Sequence, residues 1–257
     1  MKNVKIFFFF LLLCSSCKTH AGLINIEIVN KGGLSASQAS LYDSAVNFWE
    51  SFLIGTQEDI DVNLQIIAQG LSIDGVGNIL GQAGPRQGIF HSNGVYVTLG
   101  VMEFDTADLN AYEQAGLLFD IIVHEMGHVI GFGTIWSFFN GLYEDGTGEY
   151  NGKYALEAYR EEFDASATFV PVDIVSGPGT RDGHWAEDWA GPQSDLLTGF
   201  LEGPTTISNT TLASFADIGY VVQLPNGKII GRVNAPTMLS MFILFSFFAI
   251  RRRKLKL

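Results

Sequence analysis

The stretch of this chain whose residue types and spacing suit chemistry is His124-Glu125-Met126-Gly127-His128. On an α-helix, residues four apart lie on one face, one turn above the other. Two imidazoles placed in this way can hold one metal ion, and Zn²⁺ is the ion that the HExxH pattern suits. Glu125, next to the first histidine, can reach a water on that ion and take its proton. Five residues are a short pattern that also recurs by chance in ordinary helices, so its setting decides. Leu117, Leu118, Phe119, Ile121, Ile122 and Val123 precede it and are apolar nearly all round, which predicts a buried helix and a rigid mount. Gly131 follows His128 by three residues, where a sharp turn would stop the helix.

A catalytic zinc site takes three protein ligands and a water. Many metalloproteases of the metzincin group carry a third histidine six residues after the second, and that position here is Thr134. With His20 in a leader, the remaining candidates are His91, in a glycine-rich stretch, and His184, followed by Trp185 and then by the tight loop Leu196-Leu197-Thr198-Gly199.

The elements that must position these groups are partly legible. Leu23 to Val29 alternates apolar and polar residues, as a half-buried strand does. Ser35 to Leu53 is amphipathic, with Leu41, Ala45, Phe48, Trp49 and Phe52 on one stripe of a helix. Asp61 to Ala68 reads as a second strand with Val62, Leu64 and Ile66 inward. Gly70 to Gly94 holds seven glycines and reads as loop. Val95 to Val101 reads as a third strand, a candidate for the sheet edge above the cleft, where an extended peptide could pair. Asp105 or Thr106 can cap a helix running from about Asp108 into the metal motif. Later come a short helix at Lys153 to Phe163, a loop at Val170 to Gly183, a helix at Asn209 to Asp217 and a closing strand at Tyr220 to Gln223. This order predicts an α+β fold: a mixed twisted sheet, a long active-site helix and a mostly irregular C-terminal part.

The ends read differently from the body. Residues 1–21 carry Lys2 and Lys5, an apolar run from Ile6 to Leu13, then small and polar residues, the layout of a secretory signal peptide. Both cysteines, Cys14 and Cys17, fall within it, so the body relies on its core and not on disulfides. Of the 15 lysines and arginines, three lie in this leader and five in the last seven residues. Seven basic residues therefore face all 27 acidic ones in the body, a net charge of about −20. Such a surface repels nucleic acid and anionic membranes.

Beyond the metal motif, the chain resembles the leishmanolysin-like zinc metalloproteases, in which an inserted segment separates HExxHxxG from the third zinc histidine. The matching stretches are HEMGHVIGFGT (124–134), YNGKYALEAYR (150–160), VPVD (170–173), GPGT (177–180), GHW (183–185), DLLTGF (195–200) and TLASFADIGY (211–220). They come in that family's order and span roughly residues 22–223. The resemblance implies a metzincin fold, zinc peptidase activity on protein or peptide substrates, His124, His128 and His184 as zinc ligands, and Glu125 as the base. It departs at Leu197, where the family places a methionine beneath the zinc, and the zinc-masking cysteine of some members has no counterpart after Cys17.

The tail, residues 234–257, has Pro236, a short apolar run from Met238 to Ile250, and then Arg251-Arg252-Arg253-Lys254. This layout resembles C-terminal sorting signals of the PEP-CTERM type, which implies transient membrane association and cleavage by an exosortase-like processing enzyme; thirteen residues are short for a permanent span. The expected organisation is a signal peptide (1–21), a metalloprotease domain (22–223), a linker (224–233) and a sorting or anchor segment (234–257). The expected function is an exported zinc endopeptidase, secreted or on the surface of a Gram-negative bacterium. The alternative is an inactive zinc-binding adhesion or matrix protein on the same fold, for which Leu197 is the support.

Overall fold

A computed structural model describes residues 22–77, 79–200 and 203–232. The expected leader and sorting segment lie outside the described residues. No helix among the described residues is long and apolar enough to cross a membrane.

The chain is a mixed α+β structure. Strands β1 (Ile24–Asn30), β3 (Val62–Leu71), β5 (Val95–Asp105) and β4 (Gly81–Phe90) form one sheet in the order β1-β3-β5-β4. The first three are parallel, and β4 runs antiparallel to β5. In β3, Val62, Leu64, Ile66 and Ala68 are buried on alternate positions, as its pattern predicts. Helix α1 (Ala36–Phe52) packs on β1 and on helix α3 (Leu118–Ile130), and α3 packs on β5 and β4, so both helices cover the same face.

Local chemistry explains the ends of these helices. Ser35 and Gln38 form a capping box at the start of α1: the Ser35 side chain takes the Gln38 N–H, and the Gln38 side chain takes the Ser35 N–H. Tyr42, Ala45 and Trp49 make the buried stripe of α1, while Leu41, Phe48 and Phe52 are only partly covered. The helix expected from about Asp108 into the metal motif is in fact two, α2 (Thr106–Gln114) and α3. The break falls at Gly116, whose φ of 75° only glycine adopts freely, and the Leu117 N–H turns back to the Tyr112 carbonyl. Asp105 is the cap of α2 through the Ala107 N–H, and its other oxygen takes the N–H groups of Ile73, Asp74 and Gly75. One carboxylate thus ties the loop before β4 to the start of α2. Helix α3 ends at Gly131, as expected.

The stretch expected to be loop from Gly70 to Gly94 contains β4, and it is β4, not the expected third strand, that forms the sheet edge. The GQAGPRQGIF sequence of β4 has no apolar alternation: only Gly84 of the strand is buried, its second half is exposed, and its edge is open. A register shift around Arg86, next to Pro85, divides the strand.

The remainder is packed beneath α3. Strands β6 (Glu149–Tyr150) and β7 (Val170–Pro171) pair, and helix α4 (Lys153–Glu162) lies against helix α5 (Asn209–Asp217). Strands β2 (Leu53–Thr56), β8 (Tyr220–Gln223) and β9 (Ile229–Ile230) form a second small sheet. The β8–β9 hairpin falls partly in the span expected to be linker. Phe132, Trp136, Tyr150, Trp185 and Phe215 form a continuous aromatic core, with neighbouring rings 4.7–6.2 Å apart.

Candidate metal centre

His124 and His128 lie one turn apart on α3 and are both buried. His184 reaches them from the segment after β7 and is also buried. The three Nε2 atoms form a nearly equilateral triangle: 3.1 Å from His124 to His128, 3.1 Å from His124 to His184 and 2.9 Å from His128 to His184. His91 is exposed at the end of β4 and does not join them.

The other ring nitrogen of each histidine meets a backbone carbonyl. Nδ1 of His124 is 2.6 Å from the Leu196 oxygen, that of His128 is 3.0 Å from Phe132, and that of His184 is 2.8 Å from Thr180. A carbonyl oxygen can only accept, so each Nδ1 carries the hydrogen and donates it. Each neutral ring then has a bare lone pair on Nε2. Three lone pairs face one point with no hydrogen between them, an arrangement that repels itself unless a cation stands there. Burial keeps the rings neutral. It pushes the His124 pKa down to about 3, helped by the neighbouring His184, holds His128 well below the ordinary value, and lowers His184 as well. These three buried histidines could therefore bind a metal ion.

The carbonyls that aim the rings are themselves held. Leu196 and Leu197 lie in a tight turn in which Asp195 accepts the Leu197 N–H at 3.0 Å and the Thr211 hydroxyl at 2.7 Å, while its second oxygen takes the Ser208 N–H at 2.9 Å. Trp185, beside His184, donates its N–H to the Leu197 carbonyl at 3.0 Å and its indole N–H to Thr211 at 2.8 Å. The start of α5 thus anchors the turn against His124 and the segment that bears His184. From α1, the Trp49 indole donates to the Val123 carbonyl at 3.0 Å. Thr134, where a histidine would stand in the short form of the motif, donates its hydroxyl to the His128 carbonyl at 2.7 Å and caps the helix end.

Glu125 lines the same cavity as the histidines, a cleft of about 500 Å³ that also meets Gly81 to Ala83 of β4, Thr134 and Arg181. Burial pushes the Glu125 carboxyl up to about 7. A carboxyl near neutrality can both take and return a proton at physiological pH.

Residue types alone do not point to the three aiming carbonyls, Asp195, Trp49 or the β4 edge. Backbone acceptors have no side-chain signature, and β4 has no periodicity. Comparison with protein-family models and with curated proteins finds no match to this chain.

Proposed function

We propose that this chain is an exported zinc endopeptidase of the leishmanolysin-like, metzincin kind. The observation that carries the proposal is the convergence of three hydrogen-free Nε2 atoms on one point beside a carboxyl poised near neutrality. Four-coordinate zinc with Zn–N bonds of about 2.0–2.1 Å spaces its nitrogens by roughly 3.3 Å, so the observed triangle is slightly tight and otherwise suits that ion. His124, His128 and His184 would hold it, and their aiming carbonyls would fix the tautomers.

When bound there, zinc would supply Lewis acidity to the scissile carbonyl and to the attacking water. The protein's own groups do the rest. Glu125 takes the proton from the attacking water and later passes it to the leaving amine nitrogen. The open edge of β4 beside Gly81 to Ala83 offers backbone donors and acceptors along which an extended peptide can align, which presents its carbonyl to the cleft. Export through residues 1–21 and exosortase-like processing of residues 234–257 belong to the same reading.

Digestion of a peptide library tests the proposal. Internal cleavage is expected, abolished by a chelator and restored by zinc, and absent from Glu125→Gln. A metal-loaded, folded chain that cuts nothing would favour the zinc-binding adhesion or matrix protein.

A further inference from the structure

Arg181 stands three residues before His184 and lines the cavity that holds the histidines and Glu125. It is one of only seven basic residues in a body with 27 acidic ones, so a cation at this place is against the general composition. The turn that carries it is pinned. The Thr180 and Arg181 N–H groups both donate to the Gly177 carbonyl, at 3.3 and 3.1 Å, and the Asp182 N–H donates to the Asp173 carbonyl at 2.8 Å. The Thr180 carbonyl takes the His184 Nδ1 hydrogen. The Arg181 side chain is itself tethered, its Nε donating to the Ser176 carbonyl at 3.0 Å.

That tether uses one edge of the guanidinium. Among the described residues its terminal nitrogens make no hydrogen bond and no ion pair. The neighbouring acids are engaged elsewhere or stand apart. Asp182 accepts the Tyr143 hydroxyl and the Gly146 N–H, and Asp173 accepts from Val175 and Ser176. Asp145, also on the cavity wall, forms no ion pair with Arg181. A tethered guanidinium with its outer nitrogens free presents a planar fork of N–H donors, the shape that matches a carboxylate.

We infer that Arg181 is the specificity-determining residue of this cleft and receives a carboxylate of the bound peptide, from an acidic side chain near the cut or from a free C-terminus. The substrate class rests on the peptidase reading, whereas the binding itself does not. The body's net negative charge works in the opposite direction, because its long-range field favours cationic peptides. A preference for carboxylate-bearing peptides must therefore arise locally.

Four peptides test this, differing only in Asp or Asn beside the cut and in a free or amidated C-terminus. They are used twice: as substrates for the zinc-loaded wild type and Arg181→Gln, and as fluorescent ligands for Glu125→Gln with and without Arg181→Gln. The wild type is expected to favour a carboxylate-bearing peptide over the neutral one by about tenfold or more, the scale of one charge-assisted pair. The source is the position whose neutralisation removes the preference. In Arg181→Gln the ratio collapses towards one, in kcat/KM and in Kd alike, and Arg181→Lys restores part of it. A wild type with no such ratio, or a ratio that survives Arg181→Gln, overturns the inference. Carboxylate-selective binding without cleavage would overturn the peptidase reading alone, and cleavage without carboxylate selectivity would overturn Arg181 alone.

Discussion

Leu197 packs directly against Gly127: its Cδ2 atom lies 3.2 Å from the point where a Cβ on that glycine would stand. Trp49 closes the same point from the other side, with Cζ2 at 3.0 Å. The glycine inside the metal motif is therefore a contact surface, with one helix and one turn meeting on its bare backbone. Gly127→Ala would gain up to about 1 kcal/mol of helix propensity. It would also push two fully buried side chains apart, and overpacking of this kind costs about 1–3 kcal/mol. The expected outcome is a lower melting temperature and weaker metal retention; a variant as stable as wild type would mean that the turn yields freely.

The same contact sets what Leu197 can become. Leucine and methionine are close in volume, and such exchanges usually cost under ~1.5 kcal/mol. Leu197→Met is expected to change kcat/KM by less than about tenfold. Leu197→Ala would open a cavity between the turn and α3 and cost about 2–5 kcal/mol of stability. Melting temperature and kcat/KM on the three proteins check this. An inert wild type that gains activity only as Leu197→Met would make Leu197 the mark of a retired site.

Glu125→Gln keeps the shape of the proposed base and removes its proton chemistry. It should retain fold and metal while losing turnover by at least ~10²-fold. Equal rates of casein digestion by the variant and the wild type would remove Glu125 from the mechanism.

These sites differ in how far residue order revealed them. The HExxH pair is a local pattern, with its histidines four residues apart, and the spacing alone is informative. His184 lies 56 residues beyond His128, and no spacing rule chose it over His91; the resemblance did. The structure brings His184 to the pair and leaves His91 at the surface. Strand β4 was hidden because an edge strand broken at Pro85 and rich in glycine lacks the alternation that marks a half-buried strand. Tyr42 escaped the apolar stripe drawn for α1 because its hydroxyl looks polar, yet it is buried, and that hydroxyl has no hydrogen-bond partner among the described residues.

Asp217 offers a pH test away from the metal. Its carboxyl accepts the N–H groups of Tyr154 and Ala155 at 2.8 and 3.0 Å, but burial dominates and raises its pKa to about 7. In an unfolded chain the group titrates near 3.9. The folded state therefore holds the proton more tightly, and as pH falls from about 7 towards 4 this group adds stability. The melting temperature of the wild type relative to Asp217→Asn is expected to rise between pH 8 and pH 5. A difference that stays flat or falls over this window would show that the helix-capping bonds outweigh the burial.

The three-histidine metal site is tested most directly by a metal titration of three chelator-treated proteins: wild type, His184→Ala and His91→Ala. Zinc bound per chain is measured after dialysis, together with the melting temperature. One tightly held zinc and a raised melting temperature are expected in the wild type and in His91→Ala, with both lost in His184→Ala. No retained zinc in the wild type, or equal retention in His184→Ala, would contradict that site.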